Sequence, residues 1–193
     1  MRTRHPSAPA NQARRPGWLW ALLSRFSLAL LLAAPAHAQM ADTPPDEYGL
    51  KAAFLLNFAS FTTWPAERIK PTLLLCVYGD DPFGAHLEAI ENRTAGTRQL
   101  KTRRTTSVDG LGGCDVIFIT RTALTNLNRL LDRIEGLPVL TIADSPGAMH
   151  KGVMLNMETL QGRIGFSANL AAARRQGLGL SSRLLNLAIE VKQ

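Results

Sequence analysis

The sequence predicts an α/β fold, a single domain built on an open mixed β-sheet flanked by helices on both faces and completed by a C-terminal hairpin and helices. Three observations carry the prediction. Short apolar runs at Leu73 to Tyr78, Val116 to Ile119 and Val139 to Ala143 have the form of strands covered on both faces. Between them lie segments whose apolar residues recur at helical spacing. Beyond Val153 the pattern changes to alternation, which indicates a hairpin and hence a mixed sheet.

The elements follow in order. Residues 39–46 read as a linker, in which Pro44 and Pro45 precede a helix cap at Asp46. Glu47 to Phe61 then places Leu50, Phe54, Phe58 and Phe61 on one helical face, and Trp64-Pro65 stops it. Leu73 to Tyr78, bounded by Pro71 and Gly79, is predicted to be a central strand. Gly79 to Gly84 turns into a helix with Phe83, Leu87 and Ile90 inward, Pro82 suiting its first turn. The basic residues of the polar strand around Leu100 to Arg104 suggest a sheet edge. After the Gly112-Gly113 turn and the strand Val116 to Ile119, Leu124, Leu127, Leu131 and Ile134 form a helical stripe closed by Gly136. The strand Val139 to Ala143 precedes a hairpin of Val153 to Met157 and Arg163 to Ser167 around Gln161-Gly162. A short helix from Asn169 to Arg175 and a last one from Ser181 to Val191, capped by Ser181 or Ser182, end the chain. No internal repeat and no low-complexity tract interrupts this order.

The N-terminus bounds the compartment. Five arginines precede or interrupt an apolar run from Leu28 to Ala34, and Ala36-His37-Ala38 has the small-x-small pattern of a signal-peptidase site. Residues 1–38 are therefore expected to be a signal peptide cleaved after Ala38, with residues 47–193 as the exported domain. The alternative is an N-terminal anchor, but Pro35 ends a run far shorter than the roughly 20 residues that span a bilayer. A periplasmic location excludes enzymes that depend on ATP or nicotinamide cofactors. Losing five arginines and no acid from a chain of 22 basic and 15 acidic residues leaves a net charge of +2 instead of +7, which removes the main support for a nucleic-acid partner.

Both cysteines, Cys76 and Cys114, lie in the exported part. An even count in an oxidising compartment favours a disulfide, the alternative being two buried thiols in neighbouring strands. A bridge closing that loop would stabilise the fold by about 4 kcal/mol on the chain-entropy account.

Signals for chemistry are sparse. Asp80 and Asp81 follow a buried strand, where open α/β sheets place their ligand crevice, and Asp144 follows another. The three define a candidate ligand site. Adjacent residues of an extended segment point opposite ways, however, and Asp81 before Pro82 also reads as a helix cap, while Asp144 before Ser145-Pro146-Gly147 also reads as a turn residue. Two histidines survive signal removal, His86 and His150, and neither has a His or Cys at metal-ligand spacing. The chain has no Gly-x-Ser-x-Gly elbow and no His partner for its cysteines, and Gly110, Gly112 and Gly113 do not form a phosphate loop. No catalytic residue, metal or cofactor is predicted.

The order of several short motifs is more specific than any one of them. Lys51-Ala52-Ala53-Phe54, Asn57-Phe58, Trp64-Pro65 and Cys76 with Gly79 to Gly84 resemble the YfiR-like periplasmic proteins. So do Arg163-Ile164, Phe166, Asn169-Leu170, Gly177-Leu178 and Leu180-Ser181-Ser182 with Leu184-Leu185. The resemblance runs from about Tyr48 to Val191. It implies a regulator and not an enzyme, one that represses an inner-membrane diguanylate cyclase by binding its periplasmic sensor domain and so restrains cyclic-di-GMP signalling and biofilm formation. It also implies that Cys76 and Cys114 match a pair joined in the core of a family member, whose second pair, before Gly152, has no counterpart here. A related membrane sensor would fit the same role.

For a protein partner the sequence offers the last helix. Its Leu184, Leu185, Leu187, Ala188 and Ile189 exceed one apolar stripe, so Leu184, Leu185, Leu187 and Ile189 are the candidate partner-binding residues, for the cyclase or for a homodimer. Burial under the preceding helix is the alternative. Met149, Met154 and Met157 suit either a core or an adaptable surface.

Overall fold

The computed structural model describes residues 46–193; the signal peptide expected over residues 1–38 and all of the linker before Asp46 lie outside the described residues. Helix α1 (Glu47–Ser60) is capped as expected, the Asp46 carboxylate accepting from the Tyr48 amide. A short strand β1 (Thr62–Thr63) follows, and then β2 (Thr72–Tyr78), α2 (Ala85–Ile90), β3 (Thr94–Ala95), β4 (Arg98–Thr105) and β5 (Val116–Ile119). The chain continues through α3 (Leu127–Arg133), β6 (Leu140–Ala143), β7 (Leu155–Leu160), β8 (Arg163–Asn169) and α4 (Leu170–Arg175) to β9 (Gly179–Leu180), α5 (Ser182–Leu185) and β10 (Glu190–Lys192).

Eight strands form one mixed sheet in the order β10-β8-β7-β6-β5-β2-β4-β3, and β1 pairs antiparallel with β9 in a separate ribbon. Within the sheet the run from β7 to β4 is parallel, and only the hairpins β7-β8 and β3-β4 are antiparallel. Side chains on successive strand positions serve opposite faces, as the pleat requires. Leu73, Leu75 and Val77 of β2, Val116 and Phe118 of β5, and Leu140 and Ile142 of β6 join a core with α1, α2, α4 and α5. Cys76, Tyr78, Ile117, Ile119 and Ala143 join a second core with α3 on the other face. Each fully buried Leu or Ile contributes about 1.5–3 kcal/mol, which is why these strands read as unbroken apolar runs.

Cys76 and Cys114 are bonded, with Cα atoms 6.0 Å apart, and lie in the α3-side core. The bridge ties the middle of β2 to the turn that precedes β5.

Four expectations are corrected. On α1 the buried face is Lys51, Ala52, Leu55, Phe58 and Ala59, whereas Leu50 is exposed and Phe54 and Phe61 half-buried. The stripe is rotated because Lys51 is drawn inward by an ion pair. Helix α2 starts at Ala85 from Gly84, so Pro82 precedes it and does not occupy its first turn. The α3 stripe begins in a 3-10 segment, Arg121–Asn126, and buries Ala123, Leu127, Leu130 and Ile134, leaving Leu124 and Leu131 partly exposed. The last helix is one turn, Ser182–Leu185, capped by the Ser181 hydroxyl at the Leu184 amide; the chain then extends into β10, parallel to β8.

Candidate functional site

Between β2 and β5 the order of the sheet reverses. The chain lays β4 on one side of β2 and then crosses to place β5 on the other, so the loops after β2 and β5 part and leave a crevice at their carboxyl ends. Gly79, at φ 105°, makes the turn possible: a Cβ there would stand 2.0 Å from the Thr120 hydroxyl. Its close approach sets Asp80 beside β5, where the Asp80 amide donates to Thr122 Oγ1 at 3.1 Å.

A cavity of about 220 Å³ occupies this crevice, lined among others by Tyr48, Asp80, Thr120, Arg121 and Asp144. A larger cleft of about 670 Å³ shares Tyr48, Arg121 and Asp144 and extends over Glu47, Lys51 and Glu158. Asp80 and Asp144, far apart in sequence, thus border one cavity. Asp81 does not. Its carboxylate turns toward β4, pairs with Arg104 Nε at 2.6 Å and accepts from the Phe83 amide at 2.8 Å. It closes an Asx turn into α2.

The centre of the site is an ion pair that the sequence reading did not single out. Lys51, 4% exposed, reaches from α1 to the end of β6, its Nζ 2.6 Å from Asp144 Oδ2 and 2.7 Å from Glu47 Oε1. The Tyr48 hydroxyl donates to the same Asp144 oxygen at 3.3 Å, and the ammonium lies 4.5 Å from the Tyr48 ring centroid. Burial pulls the Lys51 pKa down most strongly, but hydrogen bonds to Asp144 and Glu47 and the charge of Asp144 outweigh it and the ammonium titrates above the ordinary lysine range. Burial and the Asp144 charge together push the Tyr48 phenol up, and the hydrogen bond and charge of Lys51 hold Glu47 below the ordinary carboxylate range. A lysine inside an apolar helical stripe was the available signal, because lysine is almost never buried unpaired.

Chemically the cleft offers two kinds of charge. The Asp80, Asp144 and Glu158 carboxylates can take a cationic group, and Arg121 an anionic one. Among the described residues no three His, Cys, Asp or Glu side chains converge as metal ligands would, and both cysteines are spent in the disulfide. His86 lies outside the cleft, 2.5 Å from Asp46.

The candidate partner-binding residues divide. Leu184 is buried in the core and Leu185 packs against it. Leu187 is 73% and Ile189 54% exposed at the β10 end of the sheet. Ile189 lies over Gly165, where an added Cβ would meet its Cδ1 at 2.3 Å, so part of this side chain covers the bare backbone of β8. Leu160, at the tip of the β7-β8 hairpin, is also exposed.

A mixed sheet covered on both faces, with a polar cleft at its strand ends, places the chain in the α/β class. The YfiR/HmsC-like family model matches residues 48–189, nearly all of the described chain. The protein belongs to the YfiR/HmsC-like family. Among solved structures, a conserved domain protein from Vibrio cholerae O1 biovar El Tor superposes with a TM-score of 0.51 at 10% identity, covering 76% of this chain and 60% of that one. An ABC domain in complex with L-Trp from Streptococcus pneumonia has a TM-score of 0.46 at 11% identity, covering 70% of this chain and 60% of its own. The chain thus spans about 60% of the length of both structures, and the first likeness speaks to the fold alone.

Proposed function

We propose that this protein is a periplasmic regulator that binds and represses the periplasmic sensor domain of an inner-membrane diguanylate cyclase, without turnover of its own. The family match across residues 48–189 carries the reading. The apolar surface at Leu187 and Ile189 supports it, since these side chains lie outside the core and suit a partner. A buried apolar anchor in an interface is worth about 2 kcal/mol or more, roughly thirtyfold in affinity.

Leu187→Asp tests the surface. It should leave the melting temperature unchanged, abolish co-purification of a membrane cyclase, and raise cellular cyclic-di-GMP to the level of a deletion strain. Unchanged nucleotide in the deletion strain, with no membrane protein captured, would defeat the regulator reading.

A second reading is favoured by the crevice itself. Asp80, Asp144, Tyr48 and Arg121 border a cavity where the sheet order reverses, as in small-molecule-binding α/β proteins. A metabolite bound there would be polar and carry both charges. Loss of a thermal shift by such a ligand in Asp80→Asn would support it.

A further inference from the structure

Along the strand-end cleft one stretch of the sheet is open at its edge. Strand β6 ends at Ala143, opposite Asn156, but β7 runs on to Leu160. Four consecutive residues of β7, Met157 to Leu160, line the cleft of about 670 Å³. Side chains on a strand alternate between faces, so four in a row line a cavity where the edge of the strand turns toward it.

The phase of the β7-β8 hairpin decides which backbone groups that edge presents. The Asn169 amide donates to the Met154 carbonyl at 2.7 Å, and the two-residue turn at Gln161-Gly162 closes on Leu160 and Arg163. Asn156, Glu158 and Leu160 therefore spend their amides and carbonyls on β8, whereas Met157 and Thr159 direct theirs the other way. Met157 stands beside the end of β6. Thr159 has no strand next to it on that side, and among the described residues its amide and carbonyl make no backbone hydrogen bond outside the sheet. An amide and a carbonyl presented together by one edge residue are what an added extended chain pairs with.

The charges around this edge select the chain that fits. Asp144, its side chain 8% exposed, spends Oδ2 on Lys51 and Tyr48, and its Oδ1 accepts from no described residue. Glu158 is held through Oε1 by Asn156 Nδ2 and Ser167 Oγ, each at 3.3 Å, and its Oε2 has no partner among the described residues. Lys51 is engaged by Asp144 and Glu47, whereas Arg121 makes no ion pair among the described residues. The open places are thus two for cations and one for an anion. A short peptide with one basic residue carries that set: an amino-terminal ammonium, a cationic side chain and a terminal carboxylate.

We propose, building on the reading of the crevice as a small-molecule site, that the cleft binds a basic di- or tripeptide as an added strand on the free edge of β7. Its backbone pairs with Thr159, its two cations meet Asp144 and Glu158, and its carboxylate meets Arg121. The open edge spans Met157 to Leu160, about 10 Å at the usual rise of a strand, which limits the ligand to two or three residues. The cleft lies within the roughly 300–1,000 Å³ of small-ligand sites.

Calorimetry on the full chain tests this with Ala-Lys-Ala, the same peptide methylated on the backbone nitrogen of its lysine, Ala-Glu-Ala and free lysine. Ala-Lys-Ala should bind saturably, and each of the others about tenfold more weakly or worse. The first of these loses a backbone donor, the second brings an anion among carboxylates, and the third has no strand to add. Thr159→Pro removes an amide that bonds nothing in the hairpin, so it should lower affinity for Ala-Lys-Ala about tenfold with the melting temperature little changed. If that variant does not fold, the methylated peptide decides, because it removes the other hydrogen bond of the same pairing. Equal binding of the methylated and unmethylated peptides, or of Ala-Glu-Ala and Ala-Lys-Ala, would overturn the proposal. Free lysine bound as tightly as the peptide, and lost in Asp80→Asn, would overturn strand addition while keeping the crevice as a small-molecule site. No saturable binding of Ala-Lys-Ala at millimolar concentration would overturn the peptide ligand.

Discussion

Arg98–Asp115 and Lys51–Asp144 are both buried ion pairs, set at opposite ends of the same sheet, but they are held in different ways. Arg98 starts β4, Asp115 precedes β5, and both bind the backbone of β2 and its approach: Arg98 the carbonyls of Lys70 and Thr72, Asp115 the amide of Leu74 at 2.9 Å. The pair is a staple across three adjacent strands. Among the described residues Lys51 and Asp144 have no backbone partner for their charged groups; Glu47 and Tyr48 complete them, and the cleft begins beside them. A charge cluster made only of side chains can be rearranged without unpairing a strand. The amino ends are therefore tied into the backbone of the sheet, and the carboxyl-end charges are held by side chains alone.

The largest effect expected from this contrast is at the staple. Asp115→Ala leaves a buried guanidinium without its counter-charge and should cost about 3–5 kcal/mol, lowering the melting temperature by about 10 °C in calorimetry. Replacing both members sharpens the comparison. Lys51→Met with Asp144→Leu should recover most of the stability lost in Lys51→Met alone, because apolar residues of similar volume replace a buried pair at little cost. Arg98→Met with Asp115→Leu should not recover, since two carbonyls and an amide of the β2 segment lose their partners. Equal recovery at both ends, read by urea denaturation, would erase the distinction.

Asp81 provides a smaller reference, a carboxylate at a strand end that is tied to a turn and to Arg104. Asp81→Ala removes the acceptor of the Phe83 amide and should cost about 1 kcal/mol while leaving any binding at the cleft intact. Smallest is the effect of pH through Glu47. Its folded pKa lies below the ordinary 4.5, so its stabilising pairing with Lys51 is present above that value and lost as pH falls through the folded one. Stability curves of wild type and Glu47→Gln should differ by about 0.5 kcal/mol at neutral pH and converge in acid.

The sheet was legible because its strands are covered twice. Leu73 to Tyr78 and Val116 to Ile119 have no polar face to blur their limits, and Gln161-Gly162 supplies a turn with φ of 50° and 75°, as a tight hairpin demands. The C-terminal segment was misread for a reason of period. Leu187, Ile189 and Val191 alternate, a strand pattern, but the leucines at Leu184 and Leu185 extend it into an apparent helical surface. At the site, Asp80 and Asp144 followed from the rule that ligands gather at strand ends. Lys51 and Tyr48 did not, because the helix that carries them is adjacent to the cleft only in three dimensions. Asp81, equal to Asp80 in sequence, differs from it because Arg104 on β4 draws it the other way.

The eight-stranded sheet ends in strands of three residues, β10, and two residues, β3. Long bare strand edges recruit other chains, and short terminal strands leave little for a stranger to pair with. Glu190, Val191 and Lys192 lie against Ser167, Ala168 and Asn169 of β8, so these three residues act as a guard rail along that part of the margin. A fusion or tag that pulled those three residues away would bare Ser167, Ala168 and Asn169 as well, leaving all seven residues of β8 open along that edge.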